Sequence, residues 1–279
     1  MREISVSKIR EVVTELCLKA NFELRKDILK ALKMALRKET RPRAKNILKA
    51  VIENARIAKK KRLAICQDTG IVSIFLEIGS EVTIKGDLEE ALYEGVEDAY
   101  KKGYLRKSVV DDSLVRKNTN TNTPSIINIS IVKGDRLKVT VSPKGFGSEN
   151  KSSINMLKPT ASDKEIIDFV LEVVKNAGPD ACPPLVLGIG IGGTFDYAAQ
   201  LSKKALLRSI ETKNAKKHFR GLEKDILKAV NSLGIGPMGL GGKTTALGVN
   251  IEEFPTHIAG LPVAVNVSCH ATRSAEKIL

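Results

Sequence analysis

Three of the four cysteines in this sequence stand where an apolar run gives way to polar or Gly/Pro-rich chain. They are Cys66 in Ile-Cys-Gln-Asp-Thr-Gly, Cys182 in Ala-Cys-Pro-Pro and Cys269 in Ser-Cys-His. Their separations are too long for a local metal-binding knuckle, so only the tertiary fold could assemble them into one site. Three thiolates are one fewer than usually hold an iron–sulfur cluster. A cluster held by three would keep one iron open, and an open iron can act on a substrate as a Lewis acid.

Burial is the alternative for each cysteine, because free cysteines are among the most buried residues of globular proteins. Cys17 fits that alternative, since it lies within a helical pattern of apolar residues. Taken one at a time, Cys66, Cys182 and Cys269 would also be buried more often than not. Their polar and Gly/Pro-rich flanks favour a site instead.

The chain carries a formal net charge of +14 over its 279 residues. Its Lys and Arg residues concentrate in residues 25–62 and 203–220, on what are predicted to be solvated helix faces. Aromatic residues make up only 4% of the sequence and are not interleaved with the basic ones, as a binder of single-stranded nucleic acid requires. We therefore expect no nucleic-acid function, and expect the charge to attract small dianions or an acidic partner chain.

The sequence also bears on the cellular location of the protein. No apolar run approaches membrane-spanning length, and the first residues lack the apolar core of a signal peptide. Four unclustered cysteines do not make a disulfide framework. We expect a cytoplasmic protein with reduced thiols and no contact with a membrane.

The order of periodic patterns predicts a mixed α/β (α+β) fold. Apolar residues recur at helical spacing through residues 5–60, and the third of three helices begins at Pro42. Later patterns predict helices at 88–100, 164–175, 196–210 and 217–233, and strands at 63–65, 72–78, 126–132, 137–141, 185–191 and 258–267. The strands 126–132 and 137–141 are predicted to form a hairpin.

These patterns divide the chain into two parts. We expect a helical N-terminal section over residues 1–62, followed by an α/β section over 63–279 with sheets and Gly-rich loops. The second section would carry the cysteine site and the catalytic residues. A single continuous domain over 1–279 is the alternative.

Three short motifs match familiar signatures only in part. Asp68-Thr69-Gly70 has the aspartic-protease triplet, but the chain lacks the second such aspartate that the chemistry needs. The run from Gly188 to Gly193 fits a dinucleotide-binding turn without the acidic residue after a second strand. Gly242-Lys243-Thr244 resembles the end of a P-loop, but Pro237 stands where that motif requires glycine. None of the three predicts the activity that its signature suggests.

Several segments between Cys66 and Cys269, taken in order, resemble class I fumarate hydratase. The closer resemblance is to the alpha subunit of its two-subunit form, or to the related L-tartrate dehydratase alpha subunit. The segments are Cys66–Gly70, Asp111–Thr119, Lys144–Glu149, Gly188–Gly193, Gly239–Thr244 and His257–Gly260. Each segment is a weak signal by itself, whereas the ordered set is specific.

The resemblance implies a cofactor and a reaction. The cofactor is a 4Fe-4S cluster on Cys66, Cys182 and Cys269, with its fourth iron open to the substrate. The reaction is the reversible dehydration of (S)-malate to fumarate. Because hydroxide is a poor leaving group, a Lewis acid must carry the charge that develops on it.

The resemblance also implies roles for individual side chains. Asp68 and His257 match the family's catalytic residues for proton transfer near the substrate. Two substrate carboxylates call for cations and backbone N–H donors. The residues that match the family's substrate contacts are Gln67, Arg106 and Gly147.

The family's other substrate-binding residues come from a second domain, which does not follow Cys269 here. We therefore expect a chain that is inactive alone and pairs with a beta subunit, as a heterotetramer. Residues 270–279 fit either a free tail or the point at which a longer chain is split. His270, within this segment, is expected to be incidental.

Two other functions remain open from the sequence. The first is the alpha subunit of an L-tartrate dehydratase, whose substrate differs from malate by one hydroxyl group. A non-catalytic iron–sulfur protein, such as an electron carrier or sensor, would instead need full ligation of its cluster. An RNA-binding module is the more distant alternative.

Overall fold

The protein, described by a computed structural model over residues 2–279, contains eight α-helices and ten β-strands in that range. The α-helices are α1 (Val6–Phe22), α2 (Lys26–Lys38), α3 (Pro42–Lys61), α4 (Leu88–Lys102), α5 (Phe146–Glu149), α6 (Asp163–Ala177), α7 (Phe195–Leu207) and α8 (Lys217–Ser232). The β-strands are β1 (Arg2–Ser5), β2 (Ile71–Gly79), β3 (Val82–Lys85), β4 (Ile126–Val132), β5 (Leu137–Lys144), β6 (Ser153–Leu157), β7 (Leu185–Gly192), β8 (Ala246–Phe254), β9 (Leu261–Ser268) and β10 (Ala275–Ile278). Short 3-10 helices cover Gly178–Ala181 and Pro237–Gly239. The predicted α+β class is confirmed.

Local sequence explains where several helices begin. The Ser5 hydroxyl accepts a hydrogen bond from the Lys8 backbone N–H at the start of α1, and the Asp87 carboxylate caps α4 in the same way. At α6, Ser162 and Glu165 form a reciprocal capping box. These side chains satisfy backbone donors that have no partner within the helix.

The described chain forms two compact units. The first comprises the residues up to Arg25, Asn54–Phe146 and Arg273–Leu279, and the second comprises Lys26–Glu53 and Gly147–Thr272. Helix α3 contributes residues to both units. Within residues 2–279, no helix combines the length and the apolar character needed to cross a bilayer.

The first unit is built on a four-stranded sheet with the order β10-β5-β2-β4. Strand β2 pairs in parallel with β4 and antiparallel with β5. Helices α1 and α4 pack against each other, and α1 also packs against β5 and β10. Their buried aliphatic side chains form one core with the sheet, which includes Leu16, Cys17, Ile74 and Val139.

The second unit is built on a four-stranded sheet with the order β6-β9-β7-β8. Strand β7 pairs in parallel with β8 and antiparallel with β9. Its odd-numbered residues, such as Leu187 and Ile189, join a core with α6 and α8. Its even-numbered Gly188 and Gly190 face α7 instead.

The glycines of β7 serve close packing between the strand and α7. A Cβ atom on Gly190 would lie 2.0 Å from the carbonyl oxygen of Ala198, and one on Gly188 would lie 2.2 Å from that of Ser202. No larger residue fits while α7 keeps this distance from the sheet. The glycines of the run from Gly188 to Gly193, which fits a dinucleotide-binding pattern, therefore have a structural role in this fold.

Most of the predicted elements are confirmed, and two predictions are wrong. The strand predicted at 63–65 is an irregular segment after α3. The predicted hairpin of 126–132 and 137–141 does not form, because β2 lies between β4 and β5. The connecting residues cross the end of β2, where Gly79 donates its N–H to Arg136 O and Ser80 donates to Val132 O.

The carboxyl-terminal residues join a sheet. Strand β10 pairs antiparallel with β5, and Ala275 lies opposite Val141. Leu279 and Leu137 exchange two backbone hydrogen bonds. The interpretation of residues 270–279 as a free tail is therefore wrong.

Candidate active site

The segment that carries Cys66 links α3 to β2 in the first unit. Cys66 is half-buried, and its Sγ lies 3.3 Å from Oε1 of the exposed Gln67. Cys17 in the same unit is fully buried in the apolar core, and this burial raises the pKa of its thiol. Cys17 is therefore a core residue, as predicted, whereas the Cys66 thiol is accessible.

The carboxylate of Asp68 is fixed by two backbone donors. Its Oδ1 accepts from the Gly70 N–H at 3.0 Å, and its Oδ2 accepts from the Phe146 N–H at 2.8 Å. Gly70 has a φ of +78°, and a Cβ atom there would lie 2.6 Å from the Lys144 carbonyl carbon. The turn after Asp68 therefore requires glycine, and it holds the carboxylate beside the turn at Lys144–Phe146.

Buried side chains hold the backbone of the same turn. The hydroxyl of Tyr100 donates to Thr69 O at 2.7 Å and lies 3.0 Å from Gly70 O. Burial raises the pKa of Tyr100 well above its usual range, so the phenol remains a donor. Asn122, which is also buried, donates to Gly70 O at 3.2 Å. The polar segment 113–124 thus contributes a residue that supports this turn.

Arg106 follows α4, and its backbone lies beside the Asp68 turn. The Thr69 hydroxyl donates to the Arg106 carbonyl oxygen at 2.5 Å. The Arg106 side chain is exposed. The first unit therefore places the Arg106 backbone beside the segment that carries Cys66, Gln67 and Asp68.

Cys182 and Cys269 lie at one edge of the sheet in the second unit. Cys182 precedes β7 and Cys269 follows β9, and these antiparallel strands pair Val186 with Ser268. The Cys182 carbonyl oxygen accepts from the backbone N–H of His270 at 3.3 Å and lies 3.0 Å from its ring Nδ1. His270 therefore ties the two cysteine-bearing segments together, and its expected lack of a functional role stays a prediction.

Gly147 lies near the same edge. A Cβ atom on Gly147 would be 3.7 Å from the carbonyl oxygen of Asp180, which is two residues before Cys182. Cys182 itself is exposed and has a left-handed backbone conformation, with φ of +52°. Lys151 forms an ion pair with Asp180 at 2.9 Å and so helps to hold this turn.

His257 lies at the opposite edge of that sheet. It is exposed in the connection from β8 to β9, where Thr256 donates its hydroxyl to Gly193 O at 2.9 Å, just beyond the far end of β7. Strand β7 has eight residues and spans about 23 Å. The second unit therefore does not bring His257 beside its own Cys182, and a catalytic role for His257 stays a prediction.

The donor set fits an iron–sulfur cluster in its chemistry. Cys66, Cys182 and Cys269 are not in disulfides and keep some solvent exposure, and thiolates are the usual ligands of such clusters. Among residues 2–279, no group of three His, Cys, Asp or Glu side chains is placed to hold a single metal ion.

Comparison with known proteins defines the class of this chain. The sequence matches the family described as Fumarate hydratase (Fumerase) over residues 10–277. A "Putative L(+)-tartrate dehydratase subunit alpha" of Methanocaldococcus jannaschii is 45% identical over 277 residues, which cover 97% of each chain. The L(+)-tartrate dehydratase alpha subunits of Escherichia coli K12 and Shigella sonnei are 30% identical over 275 residues, which cover 98% of this chain and 91% of each relative.

These matches run through both units and place the chain in a class of hydro-lyases. The chain belongs to the fumarate hydratase (Fumerase) family. The resemblance that the ordered segments indicated is thereby confirmed.

Proposed function

We propose that this chain is the cluster-bearing alpha subunit of a hydro-lyase that dehydrates (S)-malate reversibly to fumarate. The observation that carries the proposal is the match to the fumarate hydratase family over residues 10–277. The fixed carboxylate of Asp68, close to the accessible Cys66, supports it.

The proposed metal ligands are Cys66, Cys182 and Cys269. A 4Fe-4S cluster bound by three thiolates would supply, at its open iron, a Lewis acid for the hydroxyl group that leaves. The backbone bond between His270 and Cys182 would keep two of the ligand segments at a constant separation.

The proposed work of the protein residues is to orient the substrate and to move a proton. Asp68 would manage the proton on the hydroxyl or water side, since its two N–H partners fix the direction of its carboxylate. Arg106 would pair with a substrate carboxylate, and Gln67 and Gly147 would line the site. His257 is proposed as the second proton-transfer residue on the resemblance alone.

We propose that activity requires a beta subunit, with the assembly a heterotetramer. The relatives are named as alpha subunits, which supports a partner chain. That partner would supply the remaining groups that bind substrate and the base that removes the C3 proton. The high net positive charge would suit an acidic partner surface and a dianionic substrate.

L-tartrate is the second candidate substrate. The relatives described above carry the name L(+)-tartrate dehydratase, whereas the family name is that of fumarate hydratase. The two substrates differ by one hydroxyl group, so only a direct comparison of rates decides between them.

The deciding experiment is anaerobic reconstitution of the chain, with iron and sulfide measured on the same sample and malate and L-tartrate assayed with and without the beta subunit. We expect about four irons per chain and activity only with the partner. Cys66→Ser, Cys182→Ser and Cys269→Ser should each lower iron content, whereas Cys17→Ser should not. Equal iron content in all four variants would show that Cys66, Cys182 and Cys269 are not the ligands.

A further inference from the structure

A cavity of about 650 Å³ opens in the second unit, between α2, the end of α8 and the start of β8. Its apolar lining includes Ala31, Met34, Leu227 and Leu247, and its polar lining includes Lys38 and Lys243. This size and this mixed lining are typical of small-molecule sites. None of the proposed cluster or substrate residues lines it.

The cationic groups at the cavity differ in whether they are already paired. Lys30 forms an ion pair with Glu211 at 2.5 Å, and the Asp27 carboxylate accepts the Ile210 N–H at 3.0 Å. Lys38 and Lys243 have no ion pair with any residue in the described range 2–279. Both ammonium groups therefore remain available to an anion beside an apolar wall, although the charge of Lys243 also acts on the Glu39 carboxylate.

The Gly-rich loop that carries Lys243 is held in place. Glu39 accepts backbone N–H groups from Thr40 at 2.8 Å, Arg41 at 3.0 Å and Lys243 at 2.7 Å. Gly242 has a φ of +137°, and a Cβ atom there would lie 2.7 Å from Glu39 Oε2. Glycine at this position therefore lets Lys243 approach Glu39, so that the loop presents its lysine at a fixed place on the cavity wall.

We propose that this cavity binds a small amphipathic anion. Its anionic group, a carboxylate or an equivalent oxyanion, pairs with Lys38 and Lys243. Its apolar body packs on Met34, Leu227 and Leu247. The Gly-Leu-Gly-Gly-Lys segment, which fails as a P-loop, then serves as the anion-binding side of the site. This inference does not depend on the proposed catalytic activity.

The test uses 8-anilinonaphthalene-1-sulfonate, an aromatic anion that fluoresces in apolar sites, with octanoate as the competitor. For the wild-type chain we expect saturable binding at one site, displaced by octanoate. Lys38→Ala and Lys243→Ala should each weaken both ligands about tenfold, as expected for the loss of a charged contact. Lys33→Ala is the matched control, because Lys33 is exposed on the same helix but does not line the cavity.

A second variant tests the cavity itself. Ala31→Phe adds a ring to the apolar wall and should abolish binding, with the free energy of urea unfolding measured on the same sample to verify folding. Three results would each overturn the proposal. Binding would not saturate, octanoate would not displace the probe, or the two lysine variants would bind the probe as tightly as the Lys33→Ala control. Because no cluster, substrate or partner is needed, failure here is distinguishable from failure of the proposed activity.

Discussion

The guanidinium group of Arg273 donates from Nη2 to the backbone carbonyl oxygen of Asp68 at 2.8 Å. Its Nη1 donates to the side-chain oxygen of Asn21 at 3.1 Å. Arg273 is only 4% exposed, and its bond to Asn21 is buried while its bond to Asp68 is partly buried. A residue near the carboxyl terminus thereby holds the backbone of the Cys66–Gly70 segment, in which the Asp68 carboxylate is fixed by two N–H groups.

Replacing Arg273 should destabilise the protein. Arg273→Ala leaves Asp68 O and the Asn21 amide oxygen without this donor, and we expect a loss of about 2–4 kcal/mol in the free energy of unfolding. Urea denaturation provides the measurement. Arg136→Ala, at an exposed position in the same unit, should change stability by less than about 0.5 kcal/mol. Equal effects of the two substitutions would contradict the contribution assigned to the buried contacts.

Asp68→Asn should impair catalysis more than folding. The amide would keep the shape of the side chain but would place an NH2 group against a backbone N–H and remove the proton acceptor. We expect the rate of malate dehydration, measured with the beta subunit present, to fall by a factor of about 10²–10⁴. Asp135→Asn, on an exposed loop, is the control and should leave the rate unchanged. Activity within twofold of wild type for Asp68→Asn would exclude its proposed role.

The contact between β7 and α7 predicts opposite results for two Gly→Ala substitutions in the second unit. Gly190→Ala places a methyl group against the Ala198 carbonyl oxygen, so we expect a loss of about 1–3 kcal/mol in unfolding free energy. Gly221 lies in α8 with no atom within 4 Å of its hypothetical Cβ. Gly221→Ala should therefore stabilise the chain by about 0.5–1 kcal/mol. Unfolding curves that shift in the same direction would refute the packing argument.

Helices and buried strands of this chain could be predicted from sequence because their signals are local. Helix α3 begins at the predicted Pro42, and β7 covers the predicted strand 185–191. The pairing of strands is not local. The patterns of β4 and β5 gave no sign that β2 lies between them, since strand order depends on packing across the whole sheet.

The site shows the same division between local and non-local information. The Cys17 pattern correctly predicted burial, whereas Cys66, which is half-buried, and Cys182, which is exposed, both keep contact with solvent. The distance between His257 and the Cys182 edge follows from the direction of β7, which no local motif encodes. Arg273 and Tyr100, which fix the Asp68 turn, were missed because their partners are backbone carbonyls that no motif specifies.

Glu39 should make stability depend on pH in the acidic range. Burial opposes ionisation of its carboxyl, but the N–H donors of Arg41, Lys243 and Thr40 outweigh that cost and hold its pKa below the ordinary value of 4.5. A lowered pKa in the folded state contributes stability above about pH 4.5, and this contribution is lost as the pH falls through the folded-state pKa. Glu39→Gln should therefore lower the free energy of unfolding at pH 7 by about 1.5–3 kcal/mol.

The difference between wild type and Glu39→Gln should shrink as the pH falls below 4.5, because the wild-type carboxyl then becomes neutral too. Urea denaturation at pH 7, 5 and 3 measures this. Glu172→Gln, at an exposed position in the same unit, should parallel wild type throughout. The free energy of unfolding that Glu39→Gln loses relative to wild type could instead be as large at pH 3 as at pH 7. That result would mean that the side chain stabilises the loop by its shape alone, and that its hydrogen bonds with the three N–H groups do not depend on its charge.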